Sequence, residues 1–156
     1  MIEIDIPGFG PVQLTHLVSD FTGTLSVDGR VLPGVKEALS RLADKITIHI
    51  LTADTFGRVR EELAETPFQM HILGGPDHDI QKEEYIKRLG PETIVALGNG
   101  KNDRRMLKLA RIGIAVSEGE GCAVDALLAA DIHVRSALDG LHLLLNPLRL
   151  KATLRF

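Results

Sequence analysis

Five polar residues stand where they could carry out one piece of chemistry together: Asp20, Thr52, Lys82, Asn99 and Asp103. A carboxylate that attacks phosphorus is repelled by the phosphoryl oxygens, so it needs a divalent cation and a lysine beside it. Asp20, Asp103 and Lys82 would supply these groups. Thr52 and the backbone amides of the turn 22–24 would add neutral hydrogen-bond donors to the same oxygens. The residue types therefore indicate phosphoryl chemistry, provided that the fold brings them together.

The elements that must position these residues follow from the pattern of apolar residues. Short β-branched runs alternate with helical patterns, which is typical of an α/β fold with a parallel sheet and helices on both faces. Core strands are predicted at 14–19, 46–51, 68–73, 93–97, 112–116 and 131–134. Helices are predicted at 33–43, 54–64, 79–89, 102–111, 122–130 and 136–145. We therefore expect a three-layer, Rossmann-like sheet.

Two hairpins are predicted in addition. Residues 2–6 alternate with period two, turn at 7–10 and re-enter at Val12, which predicts an N-terminal β-hairpin before the first core strand. Residues 26–32 contain an Asp-Gly turn between short apolar flanks and predict a small flap.

The polar residues lie at or near the ends of the predicted strands. Asp20, Thr52 and Asn99 each follow a strand directly, and Asp103 comes four residues after Asn99. Lys82 lies near the start of the helix after the third core strand. In a doubly wound sheet such strand ends converge on one crevice. The sequence therefore predicts one shared site.

Composition narrows the class of protein. The chain has 156 residues, of which 44% are hydrophobic, and this predicts a single domain over 1–156. The net charge of −3 is spread without long runs of one sign, which argues against a nucleic-acid partner. The single cysteine, Cys122, excludes an internal disulfide. With no signal peptide and no apolar run of about 18 residues, a cytoplasmic protein without membrane insertion is expected.

Four segments in order resemble the motifs of the haloacid dehalogenase-like (HAD) superfamily of phosphotransferases. "DFTGTL" from Asp20 is similar to its first motif and "ILTADT" around Thr52 to its second. Lys82 in "HDIQKEEYIKRLG" is similar to the third, and "VALGNGKNDRRML" to the fourth. The whole chain also resembles a group of small proteins described as soluble P-type ATPase-like.

The resemblance implies a role for each matching residue. Asp20 would be the nucleophile that becomes an aspartyl-phosphate, with Thr52 and Lys82 assisting and Thr22 at a further catalytic position. The implied Mg²⁺ ligands are Asp20, the backbone carbonyl of Thr22, Asn99 and Asp103. The implied phosphate-binding residues are Thr22, Gly23, Thr52, Ala53, Lys82 and Asn102. The family thus implies an Mg²⁺-dependent phosphoryl-transfer hydrolase, either a phosphatase or a slow ATPase-like enzyme.

Two residues depart from the common family pattern. Most phosphatases of the superfamily have a general acid and base, an aspartate, where this chain has Thr22. A hydroxyl does that proton transfer poorly, so the phosphoenzyme is expected to be long-lived, as in P-type ATPases, whose D-K-T-G-T motif is similar to "DFTGT". Asn99 stands where the family usually has a metal-binding aspartate, and the lost charge should weaken Mg²⁺ binding.

The spacing of the motifs leaves no room for a cap domain. About thirty residues separate Asp20 from Thr52, and about thirty separate Thr52 from Lys82. An open site is therefore expected, with a small phosphorylated molecule or ATP as substrate, or a macromolecule. A homo-oligomer that shields the site is also predicted.

Simpler interpretations of the same residues stay open at this point. Asp20 and Thr52 could cap helices, Asn99 and Asp103 could be turn or cap residues, and Lys82 could be a solvated charge on an exposed helix face. The alternative functions are a catalytically weak regulatory or scaffolding protein with a retained fold, and a cytosolic partner of a transporter. An Mg²⁺-dependent activity that requires Asp20 would separate an enzyme from a binding protein.

Overall fold

The computed structural model describes all residues, 1–156. The strands, in chain order, are β1 (Ile2–Ile6), β2 (Gly10–Leu14), β3 (His16–Ser19), β4 (Ser26–Val27), β5 (Arg30–Val31), β6 (Thr47–Thr52), β7 (Gln69–Ile72), β8 (Ile94–Gly98), β9 (Ile112–Val116) and β10 (Ile132–Val134). The α-helices are α1 (Val35–Ala43), α2 (Val59–Glu62), α3 (His78–Leu89), α4 (Arg104–Leu109), α5 (Val124–Ala129), α6 (Ala137–Leu145) and α7 (Pro147–Leu154). Two short 3₁₀ helices cover Pro91–Thr93 and Lys101–Asp103.

The centre of the fold is a parallel sheet of six strands in the order β10-β9-β8-β3-β6-β7. Each neighbouring pair in it is parallel. Helices α1 and α6 pack on one face of the sheet, and α3, α4 and α5 pack on the other. The prediction of a three-layer Rossmann-like α/β fold is confirmed.

The two layers of helices are held by apolar stripes. On α1 the buried residues are Val35, Ala38, Leu39 and Leu42, which fall on one face of a helix. Strands β8 and β9 are buried along their whole length, as strands covered on both faces must be. The antiparallel hairpin β1–β2 forms a separate small sheet and shares the core on the α1 side. This hairpin was predicted.

Two helical predictions need correction. The helix predicted over 54–64 is shortened to the four residues of α2, because residues before Val59 form a turn in which Asp54 has a positive φ of 51°. The carboxylate of Asp54 accepts hydrogen bonds from the amides of Arg58 and Val59, so it caps α2 from within that turn. The terminal helix α7 was not predicted; it begins at Pro147, a residue that suits the first turn of a helix.

No cap domain interrupts the fold. Between Asp20 and Thr52 the chain forms only the hairpin β4–β5, helix α1 and β6, and between Thr52 and Lys82 it adds only α2 and β7 before α3. The hairpin β4–β5 is the predicted flap, and we refer to residues 26–31 by that name. Its backbone amides at Val31 and Asp28 donate to Glu62 (2.8 Å) and Glu120 (3.2 Å). Two carboxylates from other parts of the chain therefore hold the flap.

The longest helix, α3, has 12 residues. None of the helices has the length and apolar character that crossing a membrane requires.

A chain of hydrogen bonds joins three histidines and a tyrosine beneath α3. His16 Nδ1 lies 3.0 Å from His49 Nε2, His49 Nδ1 lies 2.8 Å from the Tyr85 hydroxyl, and that hydroxyl lies 2.7 Å from His71 Nε2. His49 is only 2% exposed. Burial, followed by the charges of the other two histidines, lowers the pKa of His49 to about 4. Each of these hydrogen bonds contains one proton. The His49 ring is neutral, so it donates a hydrogen bond through one nitrogen and accepts one through the other.

We expect the contribution of His49 to the free energy of unfolding to fall as the pH drops from 6.5 to about 4. Above this window His49 is neutral in both states, whereas within it the unfolded imidazole takes a proton that the folded one refuses. The loss is at most about 1.4 kcal/mol per pH unit for one proton. Urea unfolding at several pH values measures it. His49→Gln should flatten the slope, and His133→Gln, at an exposed histidine, should leave it unchanged. An unaltered slope in His49→Gln would assign the effect to another group.

Candidate active site

The site lies at the carboxyl end of the sheet, where the strand order changes direction. Asp20 directly follows β3, and Asn99 directly follows its neighbour β8. The backbone amide of Asp20 donates to the carbonyl of Leu97 at 3.0 Å, which ties the end of β3 to β8. Ligand sites in open α/β sheets occur at such a switch point.

Lys82 lies at the centre of the site. Its ammonium nitrogen lies 2.8 Å from Asp20 Oδ1 and 2.6 Å from Asp103 Oδ1, and the residue has no solvent exposure. Helix α3 carries Lys82 across the carboxyl ends of the strands. Lys82 there contacts Asp20, which lies 62 residues earlier in the chain, and Asp103, which lies 21 residues later. Because Lys82 is fully buried, its interpretation as a solvated helix charge is wrong.

Both carboxylate oxygens of Asp103 are already engaged. Its Oδ1 binds Lys82, and its Oδ2 accepts hydrogen bonds from the amides of Asn99 (3.0 Å) and Gly100 (2.8 Å). A Cβ on Gly98 would lie 2.6 Å from the Asp103 side chain, so the chain needs glycine there. The role of Asp103 as an Mg²⁺ ligand stays a prediction, and its present bonds are to Lys82 and to the loop. This bonding fits a residue that fixes Lys82 and the loop after β8.

The charges of the three residues do not balance. One ammonium faces two buried carboxylates, which leaves one negative charge without a partner. Burial and the charge of Asp103 raise the pKa of Asp20 to about 6, although Lys82 opposes the shift. Burial alone would lower the pKa of Lys82, but Asp103 and Asp20 together raise it, so Lys82 stays charged. The site therefore has a deficit of positive charge on the side of Asp20.

Asn99 presents an oxygen to Asp20. Its Nδ2 donates to the carbonyl of Gly121 at 3.0 Å, so its Oδ1 must point the other way. The hydroxyl of Thr24 lies 3.1 Å from that oxygen and 3.3 Å from Asp20 Oδ2. Oxygen atoms of a carboxylate and an amide are ligands that Mg²⁺ accepts, and the local charge is negative. The residues present therefore fit a divalent cation, with Asp20 and Asn99 as its side-chain ligands.

A cleft of about 160 Å³ opens onto these groups. It is lined by Asp20, Thr22, Thr52, Ala53, Thr55, Asn99, Gly100 and Asn102. The hydroxyl oxygen of Thr22 is buried without a hydrogen-bond partner, which a ligand in the cleft could provide. The oxygen of Thr52 accepts the amide of Asp54 at 2.9 Å, so its hydroxyl proton is still free to donate. Both threonines can therefore bind an anion.

The amide of Gly23, which was expected to bind phosphate, has a partner within the protein. Gly23 has a positive φ of 80°, and a Cβ there would lie 2.5 Å from the Asn99 amide. Its own amide donates to the carbonyl of Ser26 at 3.0 Å, and that of Thr24 donates to Phe21. These amides are used within the turn that leads into the flap. Gly23 therefore shapes the turn, and the phosphate contacts that we propose below do not include it.

Comparisons with known proteins agree with this geometry. No protein-family model matches the chain. An uncharacterized protein of Methanocaldococcus jannaschii is 47% identical over 73 residues, which is 46% of this chain and 78% of that protein. A solved structure, 3-deoxy-D-manno-octulosonate 8-phosphate phosphatase of Moraxella catarrhalis with magnesium, phosphate and the sugar acid, has a TM-score of 0.64 at 20% identity, covering 85% of this chain and 86% of that chain. Other HAD hydrolases and phosphatases share the fold. The chain therefore has the fold of HAD hydrolases and phosphatases.

The chain is also similar to part of an ion pump. A probable copper-transporting ATPase of Arabidopsis thaliana is 27% identical over 115 residues, or 72% of this chain. The match covers 12% of the ATPase, so the chain corresponds to only a small part of that protein.

Three features of this site were missed in the sequence. Thr24, fully buried, lies between Asp20 and Asn99. Thr55 lines the cleft. Asp79 and Arg104 form an ion pair beside Lys82 and Asp103. Thr24 could have been inferred from its place in the first motif, whereas the ion pair joins two helices and leaves no local signal in the sequence.

Proposed function

We propose that the protein is an Mg²⁺-dependent phosphoryl-transfer hydrolase that acts through an aspartyl-phosphate on Asp20. The observation that carries the proposal is the buried Lys82 between Asp20 and Asp103, beside a cleft with the unpartnered hydroxyl of Thr22. A buried lysine held by two carboxylates brings a fixed positive charge to the point where a phosphoryl group would meet Asp20. A purely structural ion pair would not need an open polar cleft beside it.

The proposed reaction has two steps. A carboxylate oxygen of Asp20 forms a bond to phosphorus while the bond from phosphorus to the leaving oxygen breaks. Water then attacks the aspartyl-phosphate, which releases phosphate and restores the carboxylate. Lys82 neutralises the phosphoryl oxygens in both steps, and Thr52 and Thr22 donate hydrogen bonds to them. Ala53 and Asn102 shape the walls of the cleft against the transferred group.

A magnesium ion would be held by Asp20, the carbonyl of Thr22 and Asn99. When bound, it would supply the second positive charge that the transferred phosphoryl group requires. Asp103 is proposed as the residue that fixes Lys82. Asn99 brings no charge, so we propose that the ion binds more weakly than it would with an aspartate there.

We propose further that the phosphoenzyme is long-lived. Thr22 lies where a proton-transferring carboxylate would assist the attacking water, and the cleft wall contains no other acidic side chain besides Asp20. The similarity to a copper-transporting ATPase supports this proposal, because "DFTGT" resembles the D-K-T-G-T motif of P-type ATPases, which form a long-lived aspartyl-phosphate. Small phosphorylated molecules and ATP are the proposed donors, and a homo-oligomer stays a prediction.

The test is the intact mass of the protein after brief incubation with Mg²⁺ and acetyl phosphate or ATP, quenched with acid. We expect the mass of one phosphoryl group to be added to the wild type and not to Asp20→Asn. Phosphate released without a trapped intermediate would contradict the long life of the phosphoenzyme. If neither donor gave any phosphate or added mass, the alternative of a regulatory or scaffolding protein would replace the proposal.

A further inference from the structure

We infer that the ion pair between Asp79 and Arg104 positions Lys82 for phosphoryl transfer, an inference that rests on the function proposed above. Asp79 lies in the first turn of α3, three residues before Lys82, and Arg104 directly follows Asp103. The ion pair therefore joins the two elements that Lys82 itself connects. The Asp79–Arg104 and Lys82–Asp103 ion pairs are therefore neighbouring contacts between α3 and the start of α4.

Arg104 binds both α3 and the short 3₁₀ helix that precedes α4. One guanidinium nitrogen lies 2.9 Å from Asp79 Oδ2, and another donates to the carbonyl of Lys101 at 2.8 Å. Lys101 begins the short 3₁₀ helix that ends at Asp103. A planar guanidinium makes both bonds at a fixed spacing, which a lysine ammonium cannot do as well. Arg104 thus sets the distance between the helix of Lys82 and the loop of Asp103.

The Gln81 side chain joins the start of α3 only to its own entry loop, by donating to the carbonyls of Gly74 (2.9 Å) and Pro76 (2.8 Å). Helix α3 follows Gly74 and Gly75, around which a built Cβ would meet nothing within 4 Å, and Asp77 before it has a positive φ of 63°. The Gln81 bonds do not reach the loop of Asp103, so they do not fix the distance between α3 and that loop.

The Asp79 carboxylate, with its side chain 18% exposed, binds Arg104 and so joins the first turn of α3 to the residue that follows Asp103. Its loss should let the Lys82 ammonium move from its place between the two carboxylates.

A second ion pair on the same helices provides a matched control. Arg105 donates to Glu83 Oε2 at 3.0 Å and to Asp79 Oδ2 at 3.1 Å. Glu83 has nearly the same exposure as Asp79, with 20% of its side chain accessible. It also joins α3 to α4, but its carboxylate has no bond to Arg104. If the ion pairs only hold the helices together, removing either carboxylate should have the same consequence.

The first measurement is the Mg²⁺-dependent release of phosphate from acetyl phosphate. We expect Asp79→Asn to lower kcat about 10- to 100-fold, since small displacements of a positioned group cost that much, with KM little changed. Glu83→Gln should keep the wild-type kcat. Arg104→Lys should keep more activity than Arg104→Gln, because it retains the charge that faces Asp79. Urea unfolding of each variant shows whether it is folded under the assay conditions.

The second measurement does not depend on activity. A buried, salt-bridged lysine ammonium gives a ¹⁵N–¹H signal, and the hydrogen exchange of Lys82 reports how well it is held. We expect faster exchange in Asp79→Asn than in Glu83→Gln. Equal exchange and equal kcat in these two variants would overturn the inference. A wild type that transfers no phosphate would refute the proposed function, while the exchange comparison would still decide whether Asp79 positions Lys82.

Discussion

Replacing Thr22 with aspartate should shorten the life of the aspartyl-phosphate by roughly 10²- to 10⁴-fold, the usual contribution of general acid–base catalysis. The Thr22 side chain lines the cleft, and its hydroxyl oxygen has no partner within the protein. A carboxylate at this position could take the proton of the attacking water, which a hydroxyl does poorly. The measurement is the decay of acid-stable phosphoenzyme after the donor is removed.

The matched control for that experiment is Thr22→Asn. Asparagine has nearly the size and shape of aspartate but cannot act as a base near neutral pH. We expect the phosphoenzyme of Thr22→Asn to decay no faster than that of the wild type. Formation of the phosphoenzyme should slow in Thr22→Asp, because a further negative charge would face the incoming phosphoryl group. If Thr22→Asp and Thr22→Asn decayed alike, Thr22 would not be the reason for a persistent intermediate.

The sequence predicts the convergence of the site because that convergence follows from topology. Asp20, Thr52 and Asn99 each end a strand of one parallel sheet, and parallel strands with covering helices bring such ends together. Lys82 could be placed near them from its helix. The structure confirms these positions without any change in the order of the elements.

The direction of each hydrogen bond could not be predicted in the same way. Asp103 and Asn99 have the residue types of metal ligands, and the sequence offers no means of seeing that both oxygens of Asp103 are taken by Lys82 and two amides. The orientation of the Asn99 amide depends on the carbonyl of Gly121, which is 22 residues away. Such details are tertiary, so they have no periodic or local signal.

Helix lengths were the weakest part of the prediction. A helix over 54–64 is predicted because Asp54 or Thr55 could cap its first turn. Asp54 and Gly57 instead adopt positive φ, so the chain forms a turn and the helix begins only at Val59. A helix of four residues is not stable by itself. Burial of Val59 and Leu63, which have no solvent exposure, stabilises α2 within the fold. The turn matters for function because it places Ala53 and Thr55 in the wall of the cleft.

Removing the ammonium of Lys82 should destabilise the protein by about 3–5 kcal/mol, the range expected when a buried ion pair loses one partner. In Lys82→Met the carboxylates of Asp20 and Asp103 would face each other without a counter-charge inside the protein. Lys87→Met, on an exposed lysine of the same helix, is the control. It should leave the free energy of unfolding nearly unchanged. Urea unfolding measures both variants.

Asp20→Asn should not lower the free energy of unfolding as Lys82→Met does, although both variants should lose phosphoryl transfer. The amide keeps an oxygen for Lys82 and turns its NH₂ toward the hydroxyl oxygen of Thr24, while the unbalanced negative charge disappears. We therefore expect Asp20→Asn to be at least as stable as the wild type without Mg²⁺. Adding Mg²⁺ should stabilise the wild type more than Asp20→Asn, since a ligand stabilises the state that binds it.

The pH dependence separates this explanation from a simple loss of packing in Lys82→Met. Two adjacent buried carboxylates without an ammonium favour binding a proton in the folded state more than in the unfolded chain. The stability deficit of Lys82→Met should therefore shrink as the pH falls below neutrality, because protonation then favours the folded state. A cavity or a shape mismatch would give a deficit that is independent of pH. The double variant Lys82→Met with Asp20→Asn should recover part of the lost stability at neutral pH, and no recovery would show that charge imbalance is not the cause.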